Sequence, residues 1–297
     1  MRSDVAIDDS AASAAEGQKR GGGRREIVLR VVSALILAPL GLAACWYGGP
    51  VLWIATGLCG VAAAIEWTRM AAQTEVIWAR WALYLVMAAG AAAAVWFGSQ
   101  RLELVALASL ITCAAAGLLA WAGKGSVSSM AFGAIYASLP FGAFVWIRES
   151  QTSGQYYLMA LLAIVWTTDI AAYFAGRGFG GPLLSPKDSP NKTWTGAIGA
   201  LVCAGLAGAA VARAVGGDFM HWLFASLIVS VVAQAGDLLE SRFKRLYGVK
   251  DTSGIVPGHG GVLDRLDALM AAAVLGALVL RFLPGLAPGF GGQAGVG

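Results

Sequence analysis

Long uninterrupted runs of apolar residues dominate the chain, separated by short polar segments in which most of its charge is bunched. Runs of 18 residues or more are what a hydrocarbon core about 30 Å thick demands of a crossing helix. The runs are continuous and do not alternate, which excludes a β-barrel and leaves helices to satisfy the backbone in lipid. The pattern predicts nine spans, near 28–47, 51–71, 79–98, 102–122, 130–147, 156–176, 194–215, 219–237 and 266–283. Only Gly48, Gly49 and Pro50 separate the first two. The expected fold is all-α: a polytopic integral membrane protein of about nine transmembrane helices. Residues 1–25 and 284–297 have no apolar period and read as flexible tails. Between them lie N-terminal membrane helices (26–150) and a C-terminal membrane region (151–283) that holds most of the polar motifs.

Composition supports this reading, since 58% of the 297 residues are hydrophobic and 13% charged, about half the charge of a soluble domain. Basic residues set the orientation, because cytoplasmic loops carry the Lys and Arg excess. With the N-terminus cytoplasmic and nine spans, only Arg101, Arg148, Arg213 and Arg281 of the 21 basic residues fall outside. Removing one span before residue 150 would send the later basic loops outside. The polar segments 177–193 and 238–265 then share the cytoplasmic face. Cys45, Cys59, Cys113 and Cys203 lie in apolar stretches without paired spacing, as small buried hydrophobes do.

The polar residues of the C-terminal region have a pattern. Asp237, Glu240, Ser241 and Lys244 follow the eighth span with no helix breaker between them, so they fall on one helical arc. Ser226, Ser230 and Gln234 continue that stripe into the membrane. A solvated helix end with paired charges would look similar, but a carboxylate aligned with buried polar residues at the membrane boundary is costly unless it binds something. In the segment 250–267, Lys250 and Asp251 precede His259, which is flanked by Gly258, Gly260 and Gly261. Asp264, Arg265 and Asp267 then open the ninth span. Acidic residues in a first turn also suit the helix dipole, yet capping does not explain the gathering of His, Gly, Arg and Asp. Carboxylates suit Mg²⁺, and the adjacent cations suit phosphate. Ser189, Asn191, Lys192 and Thr193 sit where the seventh span begins, and a helix N-terminus favours anions. Asp169 is the only charge between Glu149 and Arg177, an intramembrane carboxylate that should face the bundle interior.

These residues resemble a known family. The run Ser241-x-Phe243-Lys244-Arg245, Lys250-Asp251-x-Ser253 and Pro257-x-His259-Gly260-Gly261-Val262-x-Asp264-Arg265-Leu266-Asp267 looks like the signature of the phosphatidate cytidylyltransferases. Within it, Val256 stands where Leu, Ile or Phe is usual. Ser189-Pro-Asn-Lys-Thr-Trp-x-Gly and Asp169-x-x-Ala-Tyr-Phe-x-Gly-Arg177 resemble the family's other recurrent blocks. Thr195 replaces a common Glu, and Ala268 a common Ser. The resemblance covers about 160–285 and implies an enzyme that joins CTP to phosphatidic acid, giving CDP-diacylglycerol and pyrophosphate. It implies Mg²⁺ on Asp237 and Asp264, with K⁺ as a candidate second ion, and a homodimer in a bacterial inner membrane with its site facing the cytoplasm. Lys192, Lys244, Arg245 and Arg265 are assigned to phosphates. Asp267, Asp251 and His259 are taken as orienters around them, and Ser189, Asn191, Thr193, Ser241, Lys250 and Asp169 as substrate-binding. No nucleic-acid partner is expected.

A membrane transporter with an intramembrane carboxylate is the alternative, though its site would be built from repeated halves, and residues 30–147 offer no counterpart to the polar C-terminal region. A CDP-alcohol phosphotransferase would show four Asp on two adjacent helical turns, which the sequence lacks.

Overall fold

The computed structural model describes residues 35–36, 38–150, 152–254 and 260–289. The chain is a bundle of helices: α1 (helical over 38–47), α2 (Gly49–Ala71), α3 (Ile77–Gly98), α4 (Leu102–Ala122), α5 (Val127–Tyr136), α6 (Leu139–Ser150), α7 (Gly154–Phe179), α8 (Trp194–Val215), α9 (Phe219–Leu246) and α10 (Leu263–Phe282). Among the described residues, seven helical segments are long and apolar enough to cross a membrane, with α5 and α6 together forming one of them. α1 is described only in part, and α10 opens with Asp264, Arg265 and Asp267 before its apolar stretch.

The helices form two groups. α2, α3, α4 and α5 pack on one another, and α7, α8, α9 and α10 form the second group. α6 is the seam, contacting α2, α3 and α4 on one side and α7 and α10 on the other. Small residues let the helices approach closely, as membrane bundles require. A Cβ on Gly142 would lie 2.6 Å from the Ala94 carbonyl oxygen, and one on Gly208 2.6 Å from that of Trp222.

Two elements depart from the hydrophobic pattern. The span expected at 130–147 is two helices broken at Ala137 and Ser138, just before Pro140, which has no N–H to give the Tyr136 carbonyl four residues earlier and whose ring would clash with it in a continuous helix. The expected polar loop 177–193 contains an antiparallel hairpin, β1 (Leu183–Ser185) and β2 (Ser189–Thr193). α9 starts at Asp218, whose carboxylate accepts the His221 N–H at 2.8 Å, and runs on to Leu246, as the unbroken helical arc from Asp237 to Lys244 leads one to expect. At the C-terminus, the first residues of the expected free tail are held down. Pro284–Leu286 make a 3₁₀ turn, and the Pro288 and Gly289 carbonyls accept from Tyr157 Oη (3.0 Å) and Trp222 Nε1 (3.1 Å).

Candidate active site

Four helix ends and the hairpin converge at one end of the second group. α7 stops at Gly180, which has φ +62°, and the chain returns through the hairpin to start α8. Thr193 is the N-cap of α8, accepting the Gly196 N–H at 3.1 Å. Thr195, which departs from the family pattern, has a structural task here: its hydroxyl donates to the Gly180 carbonyl and lies 2.9 Å from that of Thr193. The hairpin and the two helix ends are thereby tied together. Gly196 and Gly236 close the packing. A Cβ on Gly196 would stand 2.8 Å from the Ala172 carbonyl oxygen of α7, and one on Gly236 2.9 Å from that of Asp267 in α10.

The resulting cavity of about 810 Å³ is polar. Asp169, Tyr173 and Arg177 line it from α7, Ser189, Asn191, Lys192 and Thr193 from β2, Gln234 and Asp237 from α9, and Asp264, Arg265 and Asp267 from α10. Lys192 Nζ forms an ion pair with Asp237 Oδ2, both half-buried. Asp237 is within electrostatic reach of Asp169 and Asp267. Asp267 is 8% exposed and accepts the Ala268 N–H at 2.7 Å.

Deeper, Lys244 Nζ bridges Glu240 Oε2 at 2.6 Å and Asp264 Oδ1 at 2.8 Å. The other oxygen of Asp264 accepts from Thr252 N (2.9 Å), Thr252 Oγ1 (3.0 Å) and Gly261 N (2.9 Å). Asp264 lies ahead of the apolar stretch of α10. Burial opposes its charge, but the contacts with Glu240 and Lys244 and the Thr252 and Gly261 N–H groups outweigh it and hold its carboxyl well below the usual carboxylate range.

Nine expected site residues therefore meet in one cavity: Asp169, Ser189, Asn191, Lys192, Thr193, Asp237, Asp264, Arg265 and Asp267. Lys244 sits behind its wall through Asp264, and Ser241 is half-buried on the same helix. Arg245 is exposed and donates to the Asp188 carbonyl at 3.4 Å, which ties α9 to the hairpin turn. Lys250 and Asp251 are exposed on the loop between α9 and α10 and are not among the cavity's lining residues. His259 lies outside the described residues. Arg177 and Tyr173 were not expected in the site. The Arg177 guanidinium donates to Tyr173 Oη at 2.9 Å and both face the cavity. Glu240, 3% exposed, was read only as part of the polar stripe. Glu66, from the N-terminal helices, was missed altogether; it accepts hydrogen bonds from the segment that precedes Asp264.

Comparison with known proteins identifies the family. Residues 28–283 match the model of the cytidylyltransferase family. The chain is 38% identical over 253 residues to a phosphatidate cytidylyltransferase of Brucella suis, covering 83% of this chain and 90% of that protein. The same figures hold for the Brucella melitensis protein of that name. It is 43% identical over 129 residues to a phosphatidate cytidylyltransferase of Staphylococcus aureus, 43% of this chain and 50% of that one. The family match extends through the N-terminal helices, where the sequence motifs are silent, and leaves the transporter alternative without support. The chain belongs to the cytidylyltransferase family.

Proposed function

We propose that this chain transfers the cytidylyl group of CTP to phosphatidic acid with Mg²⁺ as the required cation, at the cavity between α7, β2, α8, α9 and α10. The observation that carries the reading is the joining, in one polar cavity at a membrane helix end, of four aspartates with Lys192, Arg177 and Arg265. An oxygen of the lipid phosphate forms a bond to the α-phosphorus of CTP. The bond from that phosphorus to its bridging oxygen breaks, and pyrophosphate leaves with the electron pair. The lipid phosphate is already an anion near neutral pH, so no protein base is needed. The task is to bring two polyanions together and hold them in line.

The donor set fits the cation. Mg²⁺ takes one or two carboxylates and completes its shell with substrate phosphates and water, and among the described residues no three His, Cys, Asp or Glu side chains converge as a full protein cage. Asp237 and Asp264 are assigned to it, and it would supply charge neutralisation and alignment of the phosphates. Lys192 and Lys244 hold those two carboxylates by ion pairs, and the Lys192 ammonium, which lines the cavity, can turn from its carboxylate to an arriving phosphate. Arg177 and Arg265 present guanidinium donors to the same space, suited to bidentate phosphate contact. A cytoplasmic placement of this face, a homodimer and K⁺ as a second ion belong to the same proposal.

Purified protein given CTP, phosphatidic acid and Mg²⁺ should release pyrophosphate and form CDP-diacylglycerol in equal amounts, and diacylglycerol in place of phosphatidic acid should yield neither. An absence of pyrophosphate from phosphatidic acid under these conditions would refute the reading.

A further inference from the structure

Glu66 stands on α2, in the N-terminal group, yet among the described residues its carboxylate accepts hydrogen bonds from Thr252, Ser253, Val262 and Leu263, far along the chain. The side chain is 1% exposed. Oε1 accepts from Val262 N at 2.9 Å and Ser253 Oγ at 2.5 Å, and Oε2 from Leu263 N at 2.9 Å and Thr252 Oγ1 at 3.2 Å. A carboxylate offers about four lone-pair sites; three donors serve this one outright, and the fourth, the single Thr252 hydroxyl proton, is shared with Asp264. Val262 and Leu263 begin α10, whose N-cap residue makes no side-chain cap bond of its own. Their N–H groups have no partner inside the helix. Glu66 therefore caps α10 from another helix.

The same loop orients Asp264. Thr252 Oγ1 touches both Glu66 Oε2 and Asp264 Oδ2, and Thr252 N and Gly261 N also reach Asp264 Oδ2. Gly261 shows how closely the loop is pressed on the carboxylate. A Cβ there would lie 1.9 Å from Thr252 Oγ1 and 2.8 Å from Glu66 Oε2. The α2 end is itself anchored next door. Trp67 donates from Nε1 to the Ser129 carbonyl at 3.0 Å and meets Phe243 of α9 edge-on, with ring centroids 5.1 Å apart.

We infer that Glu66 is a positioning residue for the reaction: through Thr252 and the first turn of α10 it fixes where the Asp264 carboxylate stands, and this gives the N-terminal helices a part in the chemistry. The inference rests on the proposed cytidylyl transfer for its kinetic consequence, but not for its structural one. A group that orients a metal carboxylate typically contributes 10–100-fold to affinity or activity.

Glu66→Gln keeps the shape and replaces acceptors with an amide that cannot take all four donors. In the full chain, hydrogen exchange at the amides of Val262 and Leu263 should quicken, while α3 and α4 keep wild-type protection. Turnover should fall about 10–100-fold and the Mg²⁺ concentration for half-maximal rate should rise by a similar factor, with the KM for CTP within about twofold of wild type. Thr252→Val, which removes only the hydroxyl shared by Glu66 and Asp264, should show the same pattern more weakly. The losses in the double variant should be less than additive. If Glu66→Gln does not fold, the Thr252→Val result decides alone. Wild-type exchange at 262–263 together with wild-type turnover and Mg²⁺ requirement in either folded variant would overturn the inference. A wild-type chain with no cytidylyl transfer would sink the functional reading alone, and the exchange result would still judge Glu66.

Discussion

Two lysines serve the cavity end in different settings. Lys192, on the hairpin, meets Asp237 at the cavity wall, and both side chains keep about a third of their surface exposed. Lys244, on α9, lies deeper at 15% exposure, between Glu240 and Asp264 at 3% and 5%. Around Asp264 the loop donates two backbone N–H groups and a hydroxyl, and Glu66 holds that loop from below. Nothing comparable braces Asp237 among the described residues. The contrast teaches that one side of the site is prebuilt and the other is left to be completed by what binds. Under the proposed reaction, a fixed carboxylate would set the geometry, and an adaptable ion pair opposite it would exchange partners when phosphates arrive.

The largest effects should come from the carboxylates themselves. Asp237→Asn and Asp264→Asn should each lower turnover about 10²–10³-fold, and the double variant should be little worse than either, because losing one ligand already disables the site. Pyrophosphate release measures this. If the two losses multiply, the carboxylates act separately and the comparison breaks.

Lys244→Met and Lys192→Met come next and should separate the two sides. Removing Lys244 leaves buried Glu240 and Asp264 without their shared cation, which costs about 3 kcal/mol in stability and lowers turnover as well. Removing Lys192 breaks a half-exposed pair worth at most about 1 kcal/mol. That variant should melt near wild type while the KM for a phosphate-bearing substrate rises about tenfold. Thermal unfolding in detergent with parallel kinetics reads both. Equal destabilisation by the two variants would erase the difference drawn between them.

The smallest effect should come from the other end of the molecule. Arg281 pairs with Glu103 at 2.6 Å, with both side chains about half exposed. Arg281→Ala should change stability by less than about 1 kcal/mol and turnover by less than twofold, a control that separates charge loss in general from charge loss at the cavity.

Much of the site was legible because its residues are charged and its setting is not. Asp169 stood out as a carboxylate within an apolar run, and Asp237, Asp264 and Asp267 as clusters at predicted helix ends; all four line the cavity. The sequence pattern was weaker where a single residue changes backbone geometry, as at Pro140, or where short polar strands pair, as in the hairpin. Glu66 escaped notice because its partners lie 186–197 residues away. The reasoning that singled out Asp169 applies equally to Glu66, a carboxylate near the end of the run 51–71. Lys250 and Asp251 were drawn into the expected site by their place in the motif, whereas the structure leaves their side chains on the loop surface.

The claim beneath these comparisons is that the cavity carboxylates hold the cation with the nucleotide. Paramagnetic Mn²⁺ can stand in for Mg²⁺, and its binding to the purified full chain can be titrated by electron paramagnetic resonance with and without CTP. Wild-type protein should bind Mn²⁺ more tightly when CTP is present, and Asp237→Asn should lose that CTP-dependent site at the same concentrations. Retention of CTP-dependent Mn²⁺ binding at wild-type affinity in folded Asp237→Asn protein would contradict the account.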